Sequence, residues 1–192
     1  MKSSVIKIDR SNKNLTEILD ETQKIAACVG LDAKKSLRVR LLAEELVGML
    51  KELSGCYEGD FWIEQENLNL ELITRIHLVQ VMDKKTKKGF IDVASNKKNA
   101  AAKGIAGKLR NMVENMMYPE DAAYSTNPLG YGGDGGAMLS TGWSLKKYKT
   151  AYMDDEDKWD EIEKSIIANV ADDVIVSVKG SDVEIVIRKN FA

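Results

Sequence analysis

The sequence predicts an α+β two-layer sandwich in which a mixed, mainly antiparallel sheet has helices on one face. Two stretches with apolar side chains at helical spacing come early, within residues 15–53. A pair of strand-like segments follows them, and a second pair with alternating valine and isoleucine lies near the end of the chain. Because the strands come in adjacent pairs, they favour antiparallel pairing, whereas a doubly wound parallel sheet needs strands and helices to alternate more strictly.

The first third of the chain predicts one strand and two helices. Residues 4–9 form a short strand-like segment, and apolar side chains recur at helical spacing over residues 15–29. Gly30 fits the position that ends this helix, because glycine adopts the left-handed conformation without strain. Asp32 is a good N-cap for a second helix, which should run to about Leu53.

The remaining regular elements are two middle strands, a helix and a final hairpin. Residues 61–64 predict one strand and residues 70–82 a longer one. The second half of the longer strand is apolar on both faces, so we expect it at the centre of the sheet. Residues 159–173 predict a helix, and residues 180–181 predict the turn of a β-hairpin.

The chain is predicted to be a single domain over residues 1–192 with an insertion or lid over about 84–158. One helix is expected within the insertion, over residues 100–117. Residues 118–149 are expected to form a mobile loop, because they hold both prolines and the glycine-rich run at 130–136.

The composition predicts a cytoplasmic protein without a structural metal. The chain has 30 acidic and 28 basic residues, so its net charge of −2 gives no general reason to bind nucleic acid or an acidic membrane. It shows neither a signal peptide nor a transmembrane-length apolar stretch, so we expect no membrane partner. Cys28 and Cys56 lack metal-ligand spacing and are expected to be small buried residues, and His77 is expected to be structural.

The second predicted helix carries two adjacent glutamates with different environments. At about 100° per residue, Glu45 lies beside Leu41 and Met49 at the edge of the apolar face, whereas Glu44 points away from it. A carboxylate that is partly desolvated has a raised pKa, which suits a general base. The alternative is that Glu45 only flanks the core and reaches water or pairs with Arg38.

This helix, the strand that ends at Asp83 and the closing hairpin together resemble the histidine-kinase-like ATPase superfamily, called GHKL. The resemblance covers residues 1–83 and 159–190, and it is strongest to the anti-sigma-factor serine kinases. In that family a helix carries a general-base glutamate and, four residues later, an asparagine that holds Mg²⁺. Glu45 matches the glutamate, and Met49 stands in the position of the asparagine.

The resemblance also implies residues that would bind a nucleotide. Asp83 matches the aspartate that accepts a hydrogen bond from the adenine amino group, and the glycine run that follows it in the family is reduced here to Gly89. Gly104, Gly107 and Lys108 are displaced candidates for the backbone amides that cradle phosphate and for the balancing charge. The alternatives are that Asp83 is a turn residue and that the two later glycines allow close helix packing.

The implied function is that of a regulatory ATP-binding domain similar to anti-sigma factors, with ATP and Mg²⁺ as cofactors and with nucleotide binding weak or lost. A thioether at position 49 is a poor ligand for Mg²⁺, so we expect nucleotide binding to persist better than phosphoryl transfer. The implied partner is a protein of the sigma-factor or antagonist type. Related domains often dimerise, which leaves a homodimer open.

Two alternative functions remain open from the sequence. The first is an active serine kinase or ATPase in which Glu45 is the general base. The second is nucleic-acid binding through the basic insert at residues 84–110. We disfavour the second, because charge runs of this kind are usually solvated surface and Phe90 is the only aromatic residue near enough for base stacking.

Overall fold

The computed structural model describes residues 1–11, 13–52, 56–80, 141–156, 165–179 and 182–192. In this part of the chain the protein is α+β, with one six-stranded sheet and four helices. Every strand pairing in the sheet is antiparallel. The α+β class and the antiparallel character of the sheet are therefore confirmed.

The elements follow the predicted order closely, with one strand and one helix added before the final helix. The strands are β1 (Ile6–Asp9), β2 (Cys56–Glu66), β3 (Asn69–Gln80), β4 (Thr141–Ser144), β5 (Asp173–Lys179) and β6 (Asp182–Asn190). The helices are α1 (Leu15–Cys28), α2 (Ala33–Glu52), α3 (Leu145–Ala151) and α4 (Ile166–Val170).

The strand order is β1-β2-β3-β6-β5-β4, so β3 is an inner strand as its two apolar faces predict. The tight turn between β2 and β3 contains Asn67, whose φ of 54° is a left-handed conformation that asparagine tolerates better than most residues. The predicted closing hairpin is confirmed, because β5 and β6 pair antiparallel from Asp173 opposite Arg188 to Lys179 opposite Asp182.

One face of the sheet and the apolar sides of all four described helices form a single hydrophobic core. Alternate strand residues point into it, as the register of Phe61 opposite Thr74 and of Thr74 opposite Ile185 shows. All three side chains are buried. The core therefore fixes which side of each helix faces the sheet and which side remains outside.

The junction between α1 and α2 is built as the sequence predicts. Gly30 has a φ of 72°, and hydrogen bonds from the backbone N–H of Gly30 to Ala27 O and from that of Leu31 to Ala26 O complete a Schellman motif. Two residues later, Asp32 Oδ1 accepts a hydrogen bond of 2.8 Å from the Lys35 N–H and caps α2. The bounds of both predicted helices are thus correct to within one residue.

Helix α2 runs along the sheet in the same direction as β3. Near its start, Lys35 Nζ donates to Phe191 O at 2.7 Å, and Phe191 N donates to Leu68 O beside the β2–β3 turn. Near its end, the Tyr57 hydroxyl donates to Leu50 O at 3.2 Å. Burial and the charge of Asp9 raise the pKa of Tyr57 to about 12, so the phenol remains a donor. The last turns of α2 therefore lie at the end of the sheet where β3 ends.

Three predictions differ from the structure. The expected loop at 118–149 is wrong in its last part, because β4 pairs with β5 and α3 follows it directly. Cys28 is exposed as a free thiol instead of buried, since it lies on the solvent side of α1. The predicted helix over 159–173 is not continuous, because Ser165 has an extended backbone and caps α4 at Ile166–Val170, and β5 already begins at Asp173; residues 157–164 lie outside the described residues.

None of the helices in the described part of the chain combines the length and the apolar content that a membrane-spanning helix needs.

A buried hydroxyl in the centre of the sheet gives a test of the core. Thr74 is fully buried, and its Oγ1 has no hydrogen-bond partner among the described residues. Thr74→Val should raise the free energy of unfolding by about 1 kcal/mol, because an unsatisfied buried polar group is removed without loss of volume. Denaturant unfolding of both proteins measures this difference.

The control is Thr22→Val on α1. Thr22 is equally buried, but its hydroxyl donates to Ile18 O at 2.7 Å. This substitution should therefore stabilise the protein less than Thr74→Val. Equal gains at the two positions would contradict the explanation.

Candidate functional site

The two glutamates of α2 have the different environments that helical geometry predicts. Glu44 is exposed, and its Oε1 accepts a hydrogen bond of 2.7 Å from Arg40 Nε. Glu45 is half-buried, next to the side of the helix on which Leu42, Leu46 and Met49 enter the core. Of the two carboxylates, Glu45 is thus the partly desolvated one.

Met49 is a core residue, with an exposure of only 4%. Its thioether is therefore neither accessible nor of the right chemistry to hold Mg²⁺. Among the described residues, no group of three or more His, Cys, Asp or Glu side chains could bind a metal ion. The described part of the chain consequently offers no protein site for the Mg²⁺ ion that the resemblance implies.

Glu45, the predicted catalytic residue, is described, whereas the predicted nucleotide-binding residues lie outside the described part of the chain. Strand β3 ends at Gln80, and Asp83, Gly89, Gly104, Gly107 and Lys108 lie outside the described residues. The basic insert at 84–110 lies there as well. The assignments of these residues stay predictions, and so does the insertion or lid over about 84–158.

The structure also contains a charged groove that the sequence did not suggest. Its volume is about 740 Å³. It lies at the end of the sheet that contains the β2–β3 turn, opposite to the end where β3 ends. Glu64, Glu71 and Arg188 line it from the sheet face opposite the core, since their strand neighbours point into the core. Lys146 and Asp172 complete it from the two segments beside β5.

Most charges in this groove are already paired. Arg188 Nε lies 2.8 Å from Glu71 Oε1, Lys2 Nζ lies 3.4 Å from Glu64 Oε1, and Lys189 Nζ lies 2.7 Å from Asp172 Oδ1. Ion pairs at the surface add little stability, because water and salt screen their charges. A ligand would have to break several of them, so the groove is better explained as a surface where strand ends are joined.

Two consecutive aspartates hold α3 and the hairpin together at this end of the sheet. Asp173 is buried and accepts hydrogen bonds from Ser144 Oγ and from the Lys146 N–H, both at 3.1 Å. It therefore caps α3 from a distant strand. Asp172 accepts hydrogen bonds of 2.7 Å from Lys189 Nζ and 2.6 Å from the Asn190 N–H. The sequence pattern could not reveal these roles, because each partner is far away along the chain.

His77 is a surface residue of the sheet, as predicted. Its Nδ1 lies 2.7 Å from Asp182 Oδ1 on the neighbouring strand β6, and both side chains are more than half exposed. No nucleophile lies with them in a described cleft, so the pair gives no sign of a catalytic triad within the described residues.

The chain matches no protein-family model, and a comparison with curated proteins finds no match. The resemblance to the GHKL superfamily therefore rests on the order of the elements and on the motifs of the sequence.

Asp172 predicts a specific acid sensitivity. Partial burial alone would raise its pKa, but the hydrogen bonds from Lys189 and Asn190 outweigh this effect and hold the pKa below the ordinary value of 3.8. Its stabilising contribution is thus complete above that value and is lost as the pH falls through the lower folded-state pKa. Asp172→Asn should cost about 1 kcal/mol or less at neutral pH and should lessen the loss of stability toward pH 3.

The measurement is thermal unfolding of both proteins between pH 7 and pH 3. Asp20→Asn is the matched control, since Asp20 is an exposed carboxylate on α1 with no ion pair in the described part of the chain. Its pH profile should match that of the unchanged protein. An Asp172→Asn profile parallel to that of the unchanged protein would contradict the prediction.

Proposed function

We propose that the protein is a regulatory ATP-binding domain of the GHKL type, similar to anti-sigma factors, whose nucleotide binding is weak. The observation that carries the proposal is the position of Glu45. This residue is half-buried on α2, and the last turns of α2 lie at the end of the sheet where β3 ends. The proposal includes a two-layer sandwich, a cytoplasmic location and a protein partner of the sigma-factor or antagonist type.

The first support is the geometry of that end of the sheet. The Tyr57 hydroxyl joins β2 to Leu50 in the last turns of α2, and Tyr57 pairs with Leu78 near the end of β3. Glu45 lies five residues before Leu50, which corresponds to about 7.5 Å along a helix. Asp83 follows three residues after the end of β3. We propose that the nucleotide lies between Glu45 and Asp83.

The second support is the arrangement of the core. Apolar residues from all four described helices join one face of the antiparallel sheet in one cluster. This is the packing expected if helices lie against a single face, as the proposed two-layer fold requires. Glu45 then lies at the boundary between the buried side and the outward side of α2.

The proposal favours binding over phosphoryl transfer. Met49 is buried where the family has a metal-binding asparagine, and the described residues supply no replacement ligands. Mg²⁺ would therefore enter only with the phosphates of the nucleotide, and no catalytic step is assigned to it. A binding module that controls a protein partner needs no turnover, which is why we place the regulatory function first.

Calorimetry and thermal unfolding with millimolar ATP and Mg²⁺ test the proposal. At an ATP concentration ten times its Kd, the stabilisation should be about 1.4 kcal/mol, which raises the Tm of a domain of this size by roughly 3–6 °C. Asp83→Asn should remove both the heat and the shift. An absence of heat and of any shift at millimolar ATP would refute nucleotide binding.

ATP turnover measured on the same samples distinguishes the regulatory domain from an active kinase or ATPase. Glu45→Gln should leave the thermal shift in place, because the Glu45 carboxylate is proposed to lie near the phosphates of the nucleotide and not to bind its adenine. Glu44→Gln is the matched control, since Glu44 is the adjacent exposed glutamate. Turnover that disappears in Glu45→Gln alone would show that the enzyme alternative is correct.

A further inference from the structure

The outward side of α2 carries apolar side chains that no described element covers. Residues 160–320° around the helix, counted from Ala33 at about 100° per residue, are buried in the core. The opposite arc has Leu37 and Leu41 near its centre. Leu37 is 56% exposed and Leu41 is half-buried, so two leucines one turn apart lie where charged residues are expected.

Gly48 continues this line of residues two turns beyond Leu41. A glycine inside a helix costs about 0.5–1 kcal/mol relative to alanine. Nothing in the described structure accounts for that cost, because a Cβ atom at Gly48 would meet no atom within 4 Å. A glycine with open space above it allows another helix to approach closely, so Leu37, Leu41 and Gly48 together have the form of a helix-packing surface, which we call the outer arc.

Charges along the outer arc change sign from one end to the other. Lys34 and Arg38 are exposed in the first two turns, whereas Glu44 and Glu45 come two turns later. Such a surface is complementary to itself when a second copy lies antiparallel to it. It also fits an anionic lipid surface poorly, because the glutamates would be repelled and only two leucines would insert.

We propose that the outer arc of α2 is a dimerisation surface, on which α2 of a second copy of this chain packs antiparallel about a two-fold axis near residue 42. With this axis, Leu37 of one copy lies level with Gly48 of the other to within one residue rise of about 1.5 Å. Arg38 lies level with Glu45 of the other copy to the same tolerance. Both residues are on the same flank of the helix, and a two-fold axis keeps matching flanks together.

The contact goes beyond the proposed function, and it needs no nucleotide to form. One pair of helices over four turns buries less than the roughly 1,200 Å² of a stable interface. The dimer is therefore weak, and the concentration of protein sets its population. In sedimentation without nucleotide, the average mass should rise from 21.3 kDa toward twice that value as the protein is concentrated.

Charge reversal tests the antiparallel arrangement directly. One variant carries Lys34→Glu with Arg38→Glu, and the other carries Glu44→Lys with Glu45→Lys. Each variant alone places like charges at positions 38 and 45, which lie level with each other in both halves of the contact, so its self-association constant should fall by about tenfold or more. An equal mixture places opposite charges together in both halves, and a heterodimer should form again at the original concentration.

Two further variants test the packing of leucine against glycine. Leu37→Ser should abolish association, and Gly48→Leu should do so by filling the space that Leu37 of the second copy needs. Gly48→Ala should raise the Tm of the dilute monomer by improving the helix, while it weakens the dimer. Circular dichroism confirms that each variant is folded.

Three results would overturn the proposal. They are a chain that stays at 21.3 kDa up to millimolar concentration, association that persists in both charge-reversed variants, and a mixture of those variants that does not associate. Sedimentation with vesicles of anionic lipid tests whether the outer arc binds a membrane surface instead of a second copy. Vesicle binding that Leu37→Ser removes, without any dimer in solution, would show that the outer arc contacts membranes instead.

Discussion

The burial of one arc of α2 is the constraint on which the other features of this structure depend. Val39, Leu42, Leu46 and Leu50 are fully buried in the core that also contains the inner strands. Each such side chain contributes about 1.5–3 kcal/mol relative to an exposed one, so rotation of the helix by a single residue would cost several of these contributions. The rotational setting of α2 is therefore fixed, and with it the side of the helix on which Glu45 and Leu37 lie.

The same local periodicity explains how much of the fold could be predicted. The bounds of α1 and α2, the inner position of β3 and the β5–β6 hairpin follow from apolar spacing and from caps within a few residues, such as Gly30. Strand β4 and helix α3 were missed because Thr141–Ser144 has no alternating pattern. What holds them is pairing with β5 and the cap from Asp173, which lies far away in the sequence.

The candidate site divides along the same line. Helical geometry distinguishes Glu45 from Glu44 because both lie on one helix, and the pairing of Glu44 with Arg40 agrees with that distinction. What lies opposite Glu45 depends on how distant segments meet, and no local pattern carries that information. The groove around Asp172 and Arg188 shows the same limit, because the ion pair between Arg188 and Glu71 joins strands whose residues are 117 positions apart in the chain.

The two proposed occupants of α2 compete for one surface. A second copy packed on the outer arc would lie against Glu45, and a nucleotide near Glu45 would occupy part of the same space. Two ligands that exclude each other are linked thermodynamically, so each lowers the apparent affinity of the other by the same factor. Because both the dimer contact and the nucleotide site are weak, neither a second copy nor a nucleotide would occupy the surface fully at ordinary concentrations, and each could displace the other. A helix that is buried on all sides could bind neither a second copy nor a nucleotide. A helix with one arc buried in the core and one arc that no described element covers can bind either, and the apolar spacing of α2 fixes that division.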